Sequence, residues 1–485
     1  MTLDLKDVCL SEDATLEEAL QRLNVKHVDT LCVVDREGKI VGTLTDGDVR
    51  RAFLRGFGLT TTAVDVCNRK PTLVAEDATA GDIDRLLNLA STHGVRSIPK
   101  VAANGEVLGL ISRRFPGIVP MASPDLAGQE IRYVLESLNT GWISSSSPFV
   151  PRFEAALAEF LEMPQVLAVA NGTVALVLAL AAHGIGPGDE VLVPDITFAA
   201  TANAVIHVGA TPVLIDIDPE TWGFDKQSLS EAVSENTRAA IPVHLYGLPT
   251  LDYEILHFFE AHKIVVVEDC AEALGTRQQQ RHVGSQGAAC TFSFFANKTL
   301  TTGEGGAVRF QDQKMYEHAK TLRDHGMSSN RKYWHDVVGF NFRLTGMQAA
   351  VGCAQLERLD SFLERKQWIA DQYLAAIGTN TSYTIKVENA NGASSHWVSP
   401  MVYDLQSIAS DRNPLEFFRT RGIEIRPIFF PLHTMTPYKD FKHFSISNWA
   451  TRIHRNGFCL PNFPSMSDAA VEQVCSALQD WVTDE

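Results

Sequence analysis

The sequence predicts an α/β protein in two parts: a small module that repeats itself once, then a largely parallel sheet covered by helices on both faces. Three observations carry this. Glu12-Asp13-Ala14-Thr15 recurs as Glu76-Asp77-Ala78-Thr79, and each copy leads into a helix-like segment, an apolar strand, a turn at Gly38 or Gly105, and a second strand reaching Gly42 or Gly109. The stretch 115–124 holds three prolines in ten residues, the composition of a boundary. Beyond it, apolar runs at 166–170, 190–194, 211–216, 239–243, 264–268 and 291–294 alternate with helical segments, the pattern of strands joined by crossover helices. The end of the chain is more mixed and reads as a smaller α+β part. The expected bounds are 1–117 for the module and 118–485 for the body, the latter divided into a large part at about 118–370 and a small one at about 371–485.

Composition agrees with more than one core. The 485 residues are 45% hydrophobic and 21% charged, the balance of a globular protein. A formal charge of -16 argues against a nucleic-acid or anionic-membrane surface. The eight cysteines form no C-x-x-C pair, so neither a zinc site nor a disulfide framework is expected, and reduced thiols in the cytoplasm are the plainer reading. No metal site is expected elsewhere. The N-terminus carries acids and no apolar core of a secretory signal. The longest apolar stretch, 166–182, is interrupted by Asn171-Gly172-Thr173, so no membrane span is expected.

Within the module, Leu31-Cys32-Val33-Val34-Asp35-Arg36-Glu37-Gly38-Lys39-Ile40-Val41-Gly42-Thr43-Leu44-Thr45-Asp46-Gly47-Asp48 is a hairpin followed by a helix start. This order of residues resembles a CBS domain pair. In that family a hydroxyl and an aspartate three residues later hold the ribose of a nucleotide, which implies Thr45 and Asp48 as candidate contacts to an adenine nucleotide. The second copy has Phe115 where the aspartate belongs, so one intact ribose site at most is implied. The competing reading is a module that stabilises a dimer and binds nothing.

In the body, the densest signal is Ser293-Phe294-Phe295-Ala296-Asn297-Lys298-Thr299-Leu300-Thr301-Thr302-Gly303-Glu304-Gly305-Gly306, which sets one lysine between an apolar strand and a glycine-rich turn. Such a lysine can form a Schiff base with an aldehyde cofactor. Ile264-Val265-Val266-Val267-Glu268-Asp269 ends in a carboxylate 29 residues upstream of Lys298. Pyridoxal phosphate (PLP) enzymes need both groups, the amine for the imine and the acid to keep the pyridine nitrogen protonated. Ala168-Val169-Ala170-Asn171-Gly172-Thr173 is a strand, a glycine turn and a helix start, which aims free N–H groups at one spot where a phosphate can bind. Taken alone it is a plain strand-to-helix connection; Lys298 and Asp269 make it a phosphate cup.

Together with Thr197-Phe198-Ala199-Ala200-Thr201 and Gly188-Asp189-Glu190-Val191, these strings resemble the DegT/DnrJ/EryC1/StrS family of sugar aminotransferases. The resemblance implies a fold-type I body with a mostly parallel seven-stranded sheet. It makes Lys298 the Schiff-base lysine and Asp269 the partner of the pyridine nitrogen, the two catalytic residues. It places Gly172, Thr173 and Ser293 at the phosphate and Phe198 on the cofactor ring. Asn341 would reach the phosphate from a neighbouring subunit, implying a homodimer with shared sites that can assemble further. Glu272 departs from the glutamine or histidine that many members carry at the cofactor's phenolic oxygen. That variant, the lysine loop and Arg331-Lys332-Tyr333-Trp334-His335 look most like the perosamine synthases of the family, which aminate C4 of GDP-4-keto-6-deoxymannose with L-glutamate, a step toward lipopolysaccharide O-antigen.

Three substrate contacts are expected on weaker grounds. His325 lies near the sugar or makes loop hydrogen bonds; Arg426 holds a carboxylate or phosphate or sits in a surface ion pair; Trp142, beside Ser144 to Ser147, forms a pocket wall or a plain loop. UDP- and dTDP-linked 4-keto sugars are the alternative substrates. A reading of another class is a nucleotide-responsive regulator that uses the body as a dimerisation platform, but such a body has no need of the lysine, the aspartate and the cup together.

Overall fold

The computed structural model describes residues 8–25, 30–78, 82, 86, 97–112, 119–328, 330–380, 382–403 and 413–483. Phe115, most of the segment expected as a helix in the second copy of the repeat, and the start of the proline-rich boundary lie outside them. The chain divides into two compact units, Met1–Ile118 and Val119–Glu485.

The first unit contains the same small sheet twice. In the first copy Cys9–Ser11 runs parallel to Thr30–Val34, which pairs antiparallel with Ile40–Thr45. In the second, Val74–Ala75 runs parallel to Ser97–Val101, which pairs antiparallel with Val107–Ser112. Both hairpins irregularly shift register next to the glycine partner, at Val33/Val34 opposite Gly42 and at Lys100/Val101 opposite Gly109, so the sequence repeat is a repeat of geometry. Leu10, Leu31, Val33, Leu44 and Val49 form the core of the first copy.

The second unit is built on an eight-stranded sheet. In spatial order its strands are His443–Phe444, Thr211–Ile215, Glu190–Pro194, Thr237–Ala240, Val265–Asp269, Ala289–Ser293, Gly306–Phe310 and Val166–Val169. Seven of them make the expected, mostly parallel sheet; the two-residue His443–Phe444 adds an edge beside Thr211–Ile215. Only Gly306–Phe310 runs against the rest, pairing antiparallel on both sides. Such a reversal needs no crossover helix, only a loop, and that loop, 294–305, carries Lys298. Strand residues such as Val191, Val193, Leu214 and Val267 are fully buried because helices cover both faces.

The smaller layer is an antiparallel sheet ordered Tyr383–Ile385, Ser399–Tyr403, Gly457–Leu460, Arg426–Pro427. Leu359–Ile377, a 19-residue helix, crosses the expected 370/371 division. Its Leu359 and Phe362 join the core under the large sheet, and its Ile369, Tyr373 and Ile377 join the core of the smaller one. A continuous helix therefore joins the two layers where the composition suggested a junction.

Candidate active site

The candidate residues gather where parallel strands end, the usual site of ligand crevices in such sheets. Asp269 is the last residue of Val265–Asp269, Ser293 the last of Ala289–Ser293, and Gly172 opens the helix after Val166–Val169.

At the helix start, Asn171 is the N-cap and accepts a hydrogen bond from the Val174 N–H at 3.0 Å. That leaves the first N–H groups of Gly172–Ala182 directed outward at the positive end of the helix. A Cβ on Gly172 would stand 2.8 Å from Ser293 Cβ, so the glycine is what lets helix start and strand end touch. Gly306 is required for the same reason: a Cβ there would lie 2.6 Å from the carbonyl carbon of Asn171.

Asp269 is buried. Its Oδ2 accepts from Thr201 Oγ1 at 2.9 Å and its Oδ1 from the Ala271 N–H at 3.1 Å. Burial pushes its carboxyl above the usual range, against those hydrogen bonds and the nearby Lys298 and His244. Behind it, Glu268 is fully buried and receives the N–H groups of Gly284, Gln286 and Gly287. Burial raises the Glu268 carboxyl, but its bond to His244 and these N–H groups outweigh that and hold it below the usual range. The Thr250 N–H donates to His244 Nδ1, so the ring proton sits on Nε2, which donates to Glu268 at 3.0 Å. His244 also donates its backbone N–H to the Asp269 carbonyl, tying this buried pair to the catalytic candidate.

Lys298 Nζ stands 3.6 Å from Glu272 Oε1. Burial lowers its amine below the ordinary lysine value, while Glu272 and Asp269 pull it back up. Glu272, anchored by the Tyr246 N–H at 2.9 Å, has its carboxyl pushed up to about 7, by burial first and with Lys298 opposing. The Lys298 amine also lies 3.6 Å from the centre of the Trp397 ring. Trp397 continues into an aromatic wall with Tyr246, Phe429 and the half-exposed Phe198, with neighbouring ring centres 6.1, 5.1 and 6.0 Å apart.

The structure thus brings Lys298, Asp269 and Glu272 together, and Gly172 against Ser293. Thr173 is partly buried beside them. Asn341 is exposed, its Oδ1 accepting from Arg343 Nη2 at 2.8 Å; the same guanidinium meets His325 Nε2 at 3.1 Å. This segment borders the strand before Gly172, since the Ala170 N–H donates to the Phe342 carbonyl. Trp142 is half-exposed, and its carbonyl faces Gly346, just beyond the same segment. Arg426 is exposed, 3.7 Å from Glu424, which is the ion-pair geometry weighed for it. Thr45 and Asp48 cap the helix Asp46–Leu54 reciprocally, and Arg51 holds Asp48 Oδ1 at 2.7 Å.

Two residues were missed by sequence reasoning. Thr201 stood inside a quoted string without a role, and its signal was a hydroxyl one helical turn beyond Thr197, to which it bonds at 3.1 Å. Trp397 had no local signal at all. Elsewhere, a cluster of Asp195 with His433 and His443 brings three metal-ligating atoms within 4.8 Å of one another. Its two imidazoles are stacked at 11°, however, so their in-plane lone pairs do not converge on one ion, and both rings share the Asp195 carboxylate instead.

The donor set fits pyridoxal phosphate: an anion cup at a helix start, a buried carboxylate suited to a ring N–H, an exposed aromatic face and an amine. Residues 124–479 match the DegT/DnrJ/EryC1/StrS aminotransferase family, and residues 3–55 match the CBS domain. Over 368 residues the chain is 39% identical to a GDP-perosamine synthase of Escherichia coli O157:H7, covering 76% of this chain and 99% of that enzyme. The aminotransferase TlmJ from Streptoalloteichus hindustanus is similar with a TM-score of 0.70 at 29% identity, covering 76% of this chain and 99% of its own. Helicobacter pylori PseC, an aminotransferase involved in the biosynthesis of pseudoaminic acid, gives 0.70 at 25% identity over 76% and 100%.

Proposed function

The chain belongs to the DegT/DnrJ/EryC1/StrS aminotransferase family, and from that premise we propose that this PLP-dependent sugar aminotransferase carries the amino group of L-glutamate to C4 of GDP-4-keto-6-deoxymannose, giving GDP-perosamine. The choice of sugar is supported by the 39% identity to a GDP-perosamine synthase over nearly its whole length. The chemistry is supported above all by one observation: the Lys298 amine sits 3.6 Å from Glu272 and is electrostatically coupled to the buried carboxylate of Asp269.

In this reading Gly172, Thr173 and Ser293 hold the cofactor phosphate, with Asn341 contributed by a second copy of the chain in a homodimer. Phe198 covers one face of the ring, Glu272 meets its phenolic oxygen, and Lys298 is its covalent anchor. When bound, PLP supplies an electron sink and a carbon that ferries the amino group between two substrates. Asp269 keeps the ring nitrogen protonated, and the low-dielectric surroundings that raise its own proton affinity make a cationic partner favourable there. Lys298 Nζ would take the proton from the α-carbon of glutamate and hand it to the cofactor carbon that carries the amino group; in the second half it would move a proton from that carbon to C4 of the sugar. His325, Arg426 and Trp142 are the proposed substrate contacts. For the N-terminal module we propose binding of an adenine nucleotide near Thr45 and Asp48, supported by the match to the CBS domain.

A panel of GDP-, UDP- and dTDP-linked 4-keto-6-deoxy sugars with glutamate tests the proposal. Amination of the GDP substrate, seen as a one-nitrogen mass change and release of 2-oxoglutarate, is expected. Turnover confined to a UDP or dTDP sugar would reassign the substrate, and no turnover of any 4-keto sugar by PLP-loaded protein would overturn the reading.

A further inference from the structure

Trp397 is fixed on several sides before any ligand arrives. Its indole N–H donates to the Asn297 carbonyl at 2.8 Å, so the ring is tied to the residue next to Lys298 in the same loop. Its own carbonyl accepts from the buried amine of Lys366 at 3.3 Å, and its ring lies nearly parallel to Tyr246 at 12°. The side chain is 8% exposed. What it presents to Lys298 is the negative face of the π system, 3.6 Å from Nζ, and the Glu272 carboxylate stands at the same distance, 3.6 Å.

An aminotransferase lysine alternates between holding the cofactor and being free to move protons, and the free amine needs a defined position within reach of both substrates. We infer that Trp397 is a positioning residue: its indole face and Glu272 together form the resting place of the Lys298 amine whenever that amine is not bonded to the cofactor. The inference rests on the role proposed for Lys298. Among the described residues, the charged groups that act on the amine are Glu272 and Asp269; the buried Tyr246 stacks on Trp397, and Lys366 and His396 lie at its backbone. An indole face favours the ammonium form, so it opposes the lowering of the amine by burial and sets how much free base is available near neutrality.

The test uses cofactor-free full-length protein. Acetylation of Lys298 by acetic anhydride is followed by peptide mass spectrometry across pH, for the native chain, Trp397→Phe and Trp397→Leu. Loss of the π face lowers the midpoint of the Leu variant by about 0.4–1.5 pH units, which is about a twofold to thirtyfold gain in labelling below the midpoint, the span of cation–π energies. The Phe variant falls between. Greater access to solvent alone would raise the plateau rate and, by easing the burial that lowers this amine, move the midpoint up and not down, so a Leu midpoint that is unchanged or raised overturns the inference. If Lys298→Ala retained the visible absorbance of bound PLP, the role of Lys298 itself would fail, whatever the Trp397 midpoints show.

Discussion

Replacing Glu272 by Gln isolates the strongest electrostatic contact of the site. The amide is isosteric, and its oxygen can still accept the Tyr246 N–H that anchors the side chain at 2.9 Å. What disappears is an anion 3.6 Å from the Lys298 amine. With an effective dielectric constant of about 20, unit charges at that distance attract by roughly 4–5 kcal/mol, which is a ceiling of about 3 pH units on the lysine midpoint. Burial pushes the Glu272 carboxyl up to about 7, so near neutrality it is charged only about half the time and the effect falls toward the lower end of the usual 1–3 unit range. The sign is fixed: without the anion the ammonium form is less favourable and the lysine midpoint drops. The acetylation profile of cofactor-free protein reads that midpoint directly. The pH dependence of kcat/KM should also lose any limb contributed by a carboxyl near pH 7. A Gln variant whose lysine midpoint stays in place or rises would refute the reasoning.

Lys298→Ala should abolish turnover and remove the visible absorbance of bound coenzyme, both read in one spectrophotometric assay with and without glutamate. Asp269→Asn should still bind coenzyme while turnover falls by roughly two orders of magnitude or more, the scale on which a preorganised charge acts; near-normal rates would contradict its role. Thr201→Val removes the hydroxyl that donates to Asp269 Oδ2, a charge-assisted bond of about 1.5–3 kcal/mol, so fluorescence titration should show coenzyme affinity weakened roughly ten- to hundredfold. Lys366 is fully buried and burial lowers its amine to about 7, against about 10.4 in the unfolded chain. Between those values the unfolded chain binds the proton and the folded one does not, so stability from this group rises with pH, at about 1.4 kcal/mol per unit. Lys366→Met should therefore be most favourable relative to the native chain at pH 7 and below and lose that advantage toward pH 10, measured by urea unfolding; a gap independent of pH would contradict the argument.

How much of this was legible depends on whether a signal is local. Lys298 between a strand and glycines, and Asp269 at the end of a β-branched run, are local patterns, and the structure puts Asp269 at a strand end and Lys298 in the loop after the neighbouring strand, close enough for their charges to interact. The strand expected at 239–243 appears as Thr237–Ala240, because Pro242 has no N–H to give to a ladder. Nothing in Gly306-Ala307-Val308-Arg309-Phe310 announces that it runs antiparallel, since strand direction is decided by the partners and not by composition. The edge pair His443–Phe444 makes sense only against Leu214 and Ile215, more than two hundred residues away in sequence. Trp397 lies 99 residues beyond Lys298 and acts through a contact no motif encodes. Thr45 and Asp48 show the opposite case. A hydroxyl followed three residues later by an acid suits both a ribose and a reciprocal helix cap, and among the contacts described here the cap has both side chains.

The rod Leu359–Ile377 has a mechanical consequence. Nineteen helical residues extend about 28 Å, and this span is rooted at one end beneath the main sheet and at the other inside the smaller one. Two bodies pinned to a single stiff strut have no pivot between them along that connection. Adjustment to different sugars must then come from side chains and short loops lining the crevice, and a helix-breaking proline introduced midway along the strut would loosen the seating of Trp397 against the lysine without touching either residue.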